Sequence, residues 1–82
     1  MYYVYILQSE LNSTFYKGYT SNLKKRLSEH NKGKEKSTSR YRPWKLVWST
    51  AKDSKIEAIS LERKLKNITS RTKINDFITK YS

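Results

Sequence analysis

Seven carboxylates, one histidine and no cysteine bound the chemistry open to this 82-residue chain. The carboxylates are Glu10, Glu29, Glu35, Asp53, Glu57, Glu62 and Asp76. Glu57 reads as a helix cap, while Glu10, Glu35 and Asp53 fall in or beside loops. The converging acids of a two-metal phosphodiesterase are therefore missing. One magnesium held by a single carboxylate, with water and substrate phosphate as its other ligands, remains feasible. Glu62 is the best-placed carboxylate for it, being helical and close to the core edge. Its ordinary reading is a solvated glutamate paired with Lys66 at i+4. With no thiol and one imidazole, a disulfide framework and a structural zinc site are both excluded. No nucleophile elbow accompanies the serines, and with Gly18 and Gly33 the only glycines there is no phosphate-cradling loop. Arg26 and His30 stand at i, i+4 and share a helix face. Taken one at a time, His30 reads as a surface or capping histidine. Lys24, Lys25 and Arg26 read as a solvated basic face, and tyrosines 3, 5, 16 and 19 as sheet packing.

The charge balance narrows the partners. Lys and Arg number 18 against 7 Asp and Glu, a net of +11. That imbalance in a chain this short favours a polyanion, with nucleic acid ahead of an anionic membrane surface. No apolar run approaches the roughly 18 residues of a membrane span, the longest being the opening MYYVYIL. This run lacks the basic start and small-residue cleavage site of a signal peptide, so a cytoplasmic protein is expected.

The elements that must position these residues follow from periodicity. Length allows one domain, over residues 1–82. Residues 2–8 (YYVYILQ) are β-branched and aromatic with apolar side chains on both faces, which predicts a central or doubly covered strand. SELNST turns the chain, and FYKGYT is the second strand of an antiparallel hairpin. Gly18 within it marks a bulge or a close approach of another group. Thr20 or Ser21 can cap the next helix, SNLKKRLSEHN, which docks through Leu23 and Leu27. Residues 32–42 (KGKEKSTSRYR) read as an exposed basic loop. WKLVWST is a third strand, with Trp44, Leu46 and Trp48 expected on one face. Ser54 and Glu57 fit a capping box heading a helix whose core stripe is Ala58, Leu61, Leu65 and Ile68, with Glu62 on its flank. A last helix spans about 70–80 with Ile74, Phe77, Ile78 and Tyr81 in helical register. The order β-β-α-β-α-α gives an α+β fold, a small three-stranded mixed or antiparallel sheet flanked by helices.

In combination these features resemble the GIY-YIG nuclease superfamily, and specifically its small stand-alone bacterial members, related to the catalytic domain of the excision-repair nuclease. Tyr3-Val4-Tyr5 stands where the Gly-Ile-Tyr motif would be, and Tyr16-Lys17-Gly18 where Tyr-Ile-Gly would be. YKGYTSNLKKRLSEHNKG looks like the second motif running into the arginine helix. RPWKLVWS, IEAISLERKLK and SRTKINDFI look like later family segments, so the likeness covers about residues 2–80. Tyr3 and Lys17 replace the usual motif residues, and Tyr19 stands where relatives such as the excision-repair nuclease carry lysine.

Residue by residue, the resemblance implies that Glu62 holds a single Mg²⁺ or Mn²⁺ and that Arg26 binds the scissile phosphate. Tyr16, or failing that Tyr5, takes the proton from the attacking water, and His30 serves as proton relay or phosphate contact. A phenol of pKa about 10 is only about 0.1% ionised at pH 7, and lowering that by two units takes about 2.7 kcal/mol. Mg²⁺ and Arg26 are the local charges able to supply it. Nucleic-acid contacts are expected from Lys17, Tyr19, Lys24, Lys25, Lys32, Lys34, Arg40 and Arg42. The leading expectation is a DNA endonuclease, acting on structured or branched DNA rather than RNA. The alternatives are a nucleic-acid-binding module of the same fold without turnover, and a small RNA-binding protein, which leaves Glu62 unexplained.

Overall fold

The structure is a computed structural model describing residues 1–81. The chain runs β1 (Tyr2–Ser9), β2 (Phe15–Thr20), α1 (Leu23–Lys32), α2 (Lys36–Ser39), β3 (Trp44–Lys52), α3 (Lys55–Lys66) and α4 (Arg71–Tyr81). The predicted α+β order holds, with α2 as one added helical turn. The sheet order is β2-β1-β3 and both pairings are antiparallel. β1 is thus central, as its two apolar faces require.

The pleat divides the core. Val4 and Ile6 on one face pack with Ala58 and Leu65 of α3, and Phe77 and Ile78 of α4 lean against them. Tyr5 and Leu7 on the other face pack with Trp44, and Leu23 and Leu27 of α1 cover them. Glu57 and Ser54 form the expected box: the Glu57 amide donates to Ser54 Oγ at 3.2 Å, and Ser54 Oγ donates to the Glu57 carboxylate at 3.1 Å.

Three local expectations need correction. The cap of α1 is Asn22, not Thr20 or Ser21: its Oδ1 accepts the Lys25 amide at 3.1 Å, while Thr20 Oγ1 accepts the Asn22 amide. Second, Trp44 and Trp48 do not share a face. Leu7 pairs with Leu46 but Ile6 pairs with Trp48, so Val47 is an extra residue. This bulge turns the rest of β3 over. Trp44 therefore joins Tyr5 and Leu7, whereas Trp48 joins Val4 and Ile6 and packs edge-on against Phe77. Of the two readings of Gly18 the close approach is the one observed: no shift interrupts the β1–β2 register, and a Cβ there would lie 2.6 Å from the Tyr5 hydroxyl oxygen.

Residues 32–42 are the third correction. Lys32 ends α1, and Gly33, at φ 79°, stops the helix in the left-handed region. The chain then makes α2, whose Thr38 is only 2% exposed. The Trp44 indole N–H donates to the Thr38 carbonyl at 2.8 Å, tying this turn to β3. Asn31 braces the same junction, accepting the Trp44 amide at 2.6 Å and donating to its carbonyl at 3.0 Å.

Candidate active site

Side chains from both strands of the hairpin and from α1 meet on the α1 side of the sheet. Tyr5 lies opposite Gly18, and Tyr16 opposite Leu7, so the two phenols share a face. Only hydrogen occupies the Cα of residue 18 on that face, and this lets the Tyr5 ring lie across β2. The two ring centroids are 6.3 Å apart. His30 sits between them and the helix, its ring 4.8 Å from that of Tyr16. Its Nε2 is 3.1 Å from the Tyr5 hydroxyl and its Nδ1 is 2.9 Å from Thr38 Oγ1.

His30 is fully buried, so neither the surface reading nor a direct phosphate contact describes it in this arrangement. Burial and the neighbouring Arg26 charge lower its pKa and keep it neutral. Burial likewise pushes the Tyr5 phenol up to about 12, with the nearby Tyr16 and Glu62 adding to the rise against the pull of the neighbouring Arg26. Tyr5 is 1% exposed, whereas Tyr16 is half-buried and its hydroxyl has no hydrogen-bond partner among the described residues.

Arg26, one turn before His30, lies near Tyr5 and is held by two carboxylates. Nη1 lies 3.3 Å from Glu29 and Nη2 3.1 Å from Glu35. Burial works against its charge, but the neighbouring Tyr5, Glu35 and Glu29 outweigh this and raise its pKa. Its outer side opens into a polar pocket of about 310 Å³ formed with Thr20, Ser21, Asn22, Lys25 and Glu29. A larger apolar groove, along Tyr3, Leu23, Leu27 and Leu46, is lined by none of the five predicted catalytic residues.

Glu62 projects from α3 and its side chain is 13% exposed. Its charge is felt at Tyr5, and Lys66 approaches one oxygen at 3.4 Å. The described residues contain no group of three or more His, Asp or Glu able to cage an ion. A lone, sheltered carboxylate of this kind fits a hard cation that keeps most of its water and takes substrate oxygens, as Mg²⁺ or Mn²⁺ does.

The predicted nucleic-acid contacts divide. Lys24, Lys25, Lys32, Lys34, Arg40 and Arg42 are exposed. Lys17 and Tyr19 lie on the opposite face from Tyr5 and Tyr16. The Lys17 ammonium donates to the Ile68 carbonyl at 3.0 Å, burial lowers its pKa, and Tyr19 packs against the Val4 core. Sequence reasoning did not single out Glu29, Glu35, Thr38 or Trp44 for the site. The i, i+3 spacing of Arg26 and Glu29 was a usable signal; nothing local pointed to the other three.

A sequence model of the GIY-YIG catalytic domain matches residues 1–75. The UPF0213 protein SAG0778 of Streptococcus agalactiae is 41% identical over 73 residues, covering 88% of this chain and 82% of that protein. The UPF0213 protein SpyM3_1077 of Streptococcus pyogenes is 42% identical over 71 residues, 85% of this chain and 76% of that one. The solution structure of the UPF0213 protein BH0048 from Bacillus halodurans superposes with a TM-score of 0.62 at 35% identity, over 99% of this chain and 86% of that one. No described helix is long and apolar enough to cross a membrane.

Proposed function

The chain belongs to the GIY-YIG catalytic domain family, a family of nucleases, and from that premise we propose that it is a metal-dependent DNA endonuclease with a one-metal mechanism and a tyrosine base. The observation that carries the reading is the meeting of Arg26, two phenols and a neutral imidazole, with the Glu62 charge in reach of Tyr5. Arg26 holds the scissile phosphate through the open side of its guanidinium and offsets the charge that develops there. Glu62 would hold Mg²⁺ or Mn²⁺. The bound ion supplies Lewis-acid stabilisation of the phosphate and of the departing oxygen.

Tyr16 is the preferred base. Its hydroxyl is uncommitted and reachable, whereas that of Tyr5 is buried, bonded to His30 and harder to ionise. Tyr5 and His30 instead hold Arg26 and the Tyr16 ring in place. The exposed cations of α1 and of residues 32–42 draw the DNA backbone onto this face.

The test is a panel of branched, flapped and single-stranded DNAs incubated with Mg²⁺ or Mn²⁺. Wild type should nick at least one of them. Glu62→Ala should bind the same DNA equally well and cut none; cutting at the wild-type rate would remove Glu62 from the metal site. A second reading, a binding module without turnover, draws on the ion pairs of Arg26 with Glu29 and Glu35 and of Glu62 with Lys66. In that case no metal elicits nicking anywhere in the panel, while salt-sensitive binding persists.

A further inference from the structure

Behind the phenols runs a chain of polar contacts that ends on α2. The Tyr5 hydroxyl lies 3.1 Å from His30 Nε2, and His30 Nδ1 lies 2.9 Å from Thr38 Oγ1. Thr38 Oγ1 donates to the Glu35 carbonyl at 3.3 Å. A carbonyl only accepts, and the Thr38 hydroxyl has a single proton to give it. Nδ1 must therefore donate to Thr38, which leaves Nε2 to accept from the Tyr5 hydroxyl. Tyr5, His30 and Thr38 are each 2% exposed or less, so reversing one link would bury mismatched groups.

We propose that Thr38 is a positioning residue that fixes His30 as its neutral Nδ1–H tautomer, and so directs the Tyr5 proton inward onto Nε2. Thr38 acts at a distance from the reacting phosphate, through two side chains. The turn carrying it is well anchored: Trp44 holds the Thr38 carbonyl, and the Glu35 carboxylate grips Arg26 from the other side. A single helical turn thereby sets both the aim of the arginine and the hydrogen-bonding sense of the phenol beneath it. The Tyr5 proton is then committed to His30 and is not offered to a phosphate oxygen. The consequence for turnover rests on the nuclease reading; the tautomer does not.

His30 is the only histidine in the chain, so ¹⁵N-labelled protein reports its two ring nitrogens without overlap. At neutral pH the wild-type spectrum should show a protonated Nδ1 and a bare Nε2. Thr38→Val removes the acceptor at Nδ1 and should move the ring toward the Nε2–H form, while Thr38→Ser should keep the wild-type pattern. On a cleavable DNA, Thr38→Val should lower kcat about tenfold with little change in KM, and Thr38→Ser should restore it. A wild-type ring protonated at Nε2, or a Thr38→Val ring that stays Nδ1–H, overturns the assignment. If Thr38→Val does not fold, the wild-type and Thr38→Ser spectra decide. If wild type cuts no DNA, the nuclease reading fails while the tautomer is still judged by its spectrum.

Discussion

Replacing Gly18 by alanine drives a methyl group into the Tyr5 ring. An ideal Cβ at residue 18 would lie 2.6 Å from the Tyr5 hydroxyl oxygen, 2.7 Å from Cζ and 3.2 Å from Cε2. The backbone itself raises no objection, because among the described glycines only Gly33 has a positive φ. Without the ring, the change would stabilise the protein by about 0.4–1 kcal/mol through the unfolded chain. The ring reverses that sign in one of two ways. If it stays, overpacking costs about 1–3 kcal/mol. If it swings away, it abandons the bond to His30 and leaves a buried ring nitrogen without a partner, at about 1–3 kcal/mol. The net loss should be about 1–2 kcal/mol, and a domain of this size loses roughly 4–8 °C of Tm for each. Urea and thermal unfolding of Gly18→Ala, Tyr5→Ala and the double variant measure it. In the Tyr5→Ala background the same methyl should be neutral or stabilising. A Gly18→Ala protein as stable as wild type, with Tyr5 intact, would refute the close approach.

Two further outcomes follow from the same geometry. The folded-state pKa of His30 is depressed, while the unfolded chain takes up its proton near the ordinary value of about 6.5. Its contribution to stability is complete above that value and is lost as pH falls through the folded-state pKa. The urea midpoint of wild type should therefore drop more between about pH 7.5 and about pH 5 than that of His30→Gln; parallel slopes would remove His30 as the cause. Tyr16→Phe should leave stability nearly unchanged, because its hydroxyl has no partner among the described residues, and cut kcat by at least about 10²-fold. Nicking at the wild-type rate by Tyr16→Phe would return the base to Tyr5.

Periodicity made the elements legible, and tertiary pairing set what it could not. The β-branched and aromatic run YYVYILQ and the stripe Ala58, Leu61, Leu65, Ile68 are local signals, and both lie where expected. The splitting of Trp44 from Trp48 is not local. A period of two carries Trp48 onto the Trp44 face, and only the pairing of Leu46 and Trp48 with neighbouring residues of β1 reveals that Val47 is extra. KGKEKSTSRYR has the composition of a solvated loop. Thr38 is nevertheless buried, because it is bonded to the Trp44 indole and lies beside His30, both outside that stretch.

The same distinction governs the site. Spacing at i, i+4 put Arg26 and His30 on one helix face, but it fixes direction around the helix and not depth. Arg26 stays at the rim between two carboxylates, and His30, a turn later, is sealed by Tyr5, Tyr16 and Thr38. The two phenols were indistinguishable in sequence, each an aromatic in a short strand. Sheet order separates them. β3 pairs with the free side of β1, which makes β1 central and leaves β2 at the edge. Tyr5 of the central strand is thereby buried and committed to His30, while Tyr16 of the edge strand keeps an accessible hydroxyl. Which phenol is free to take a proton is thus decided by a strand that contributes no predicted catalytic residue.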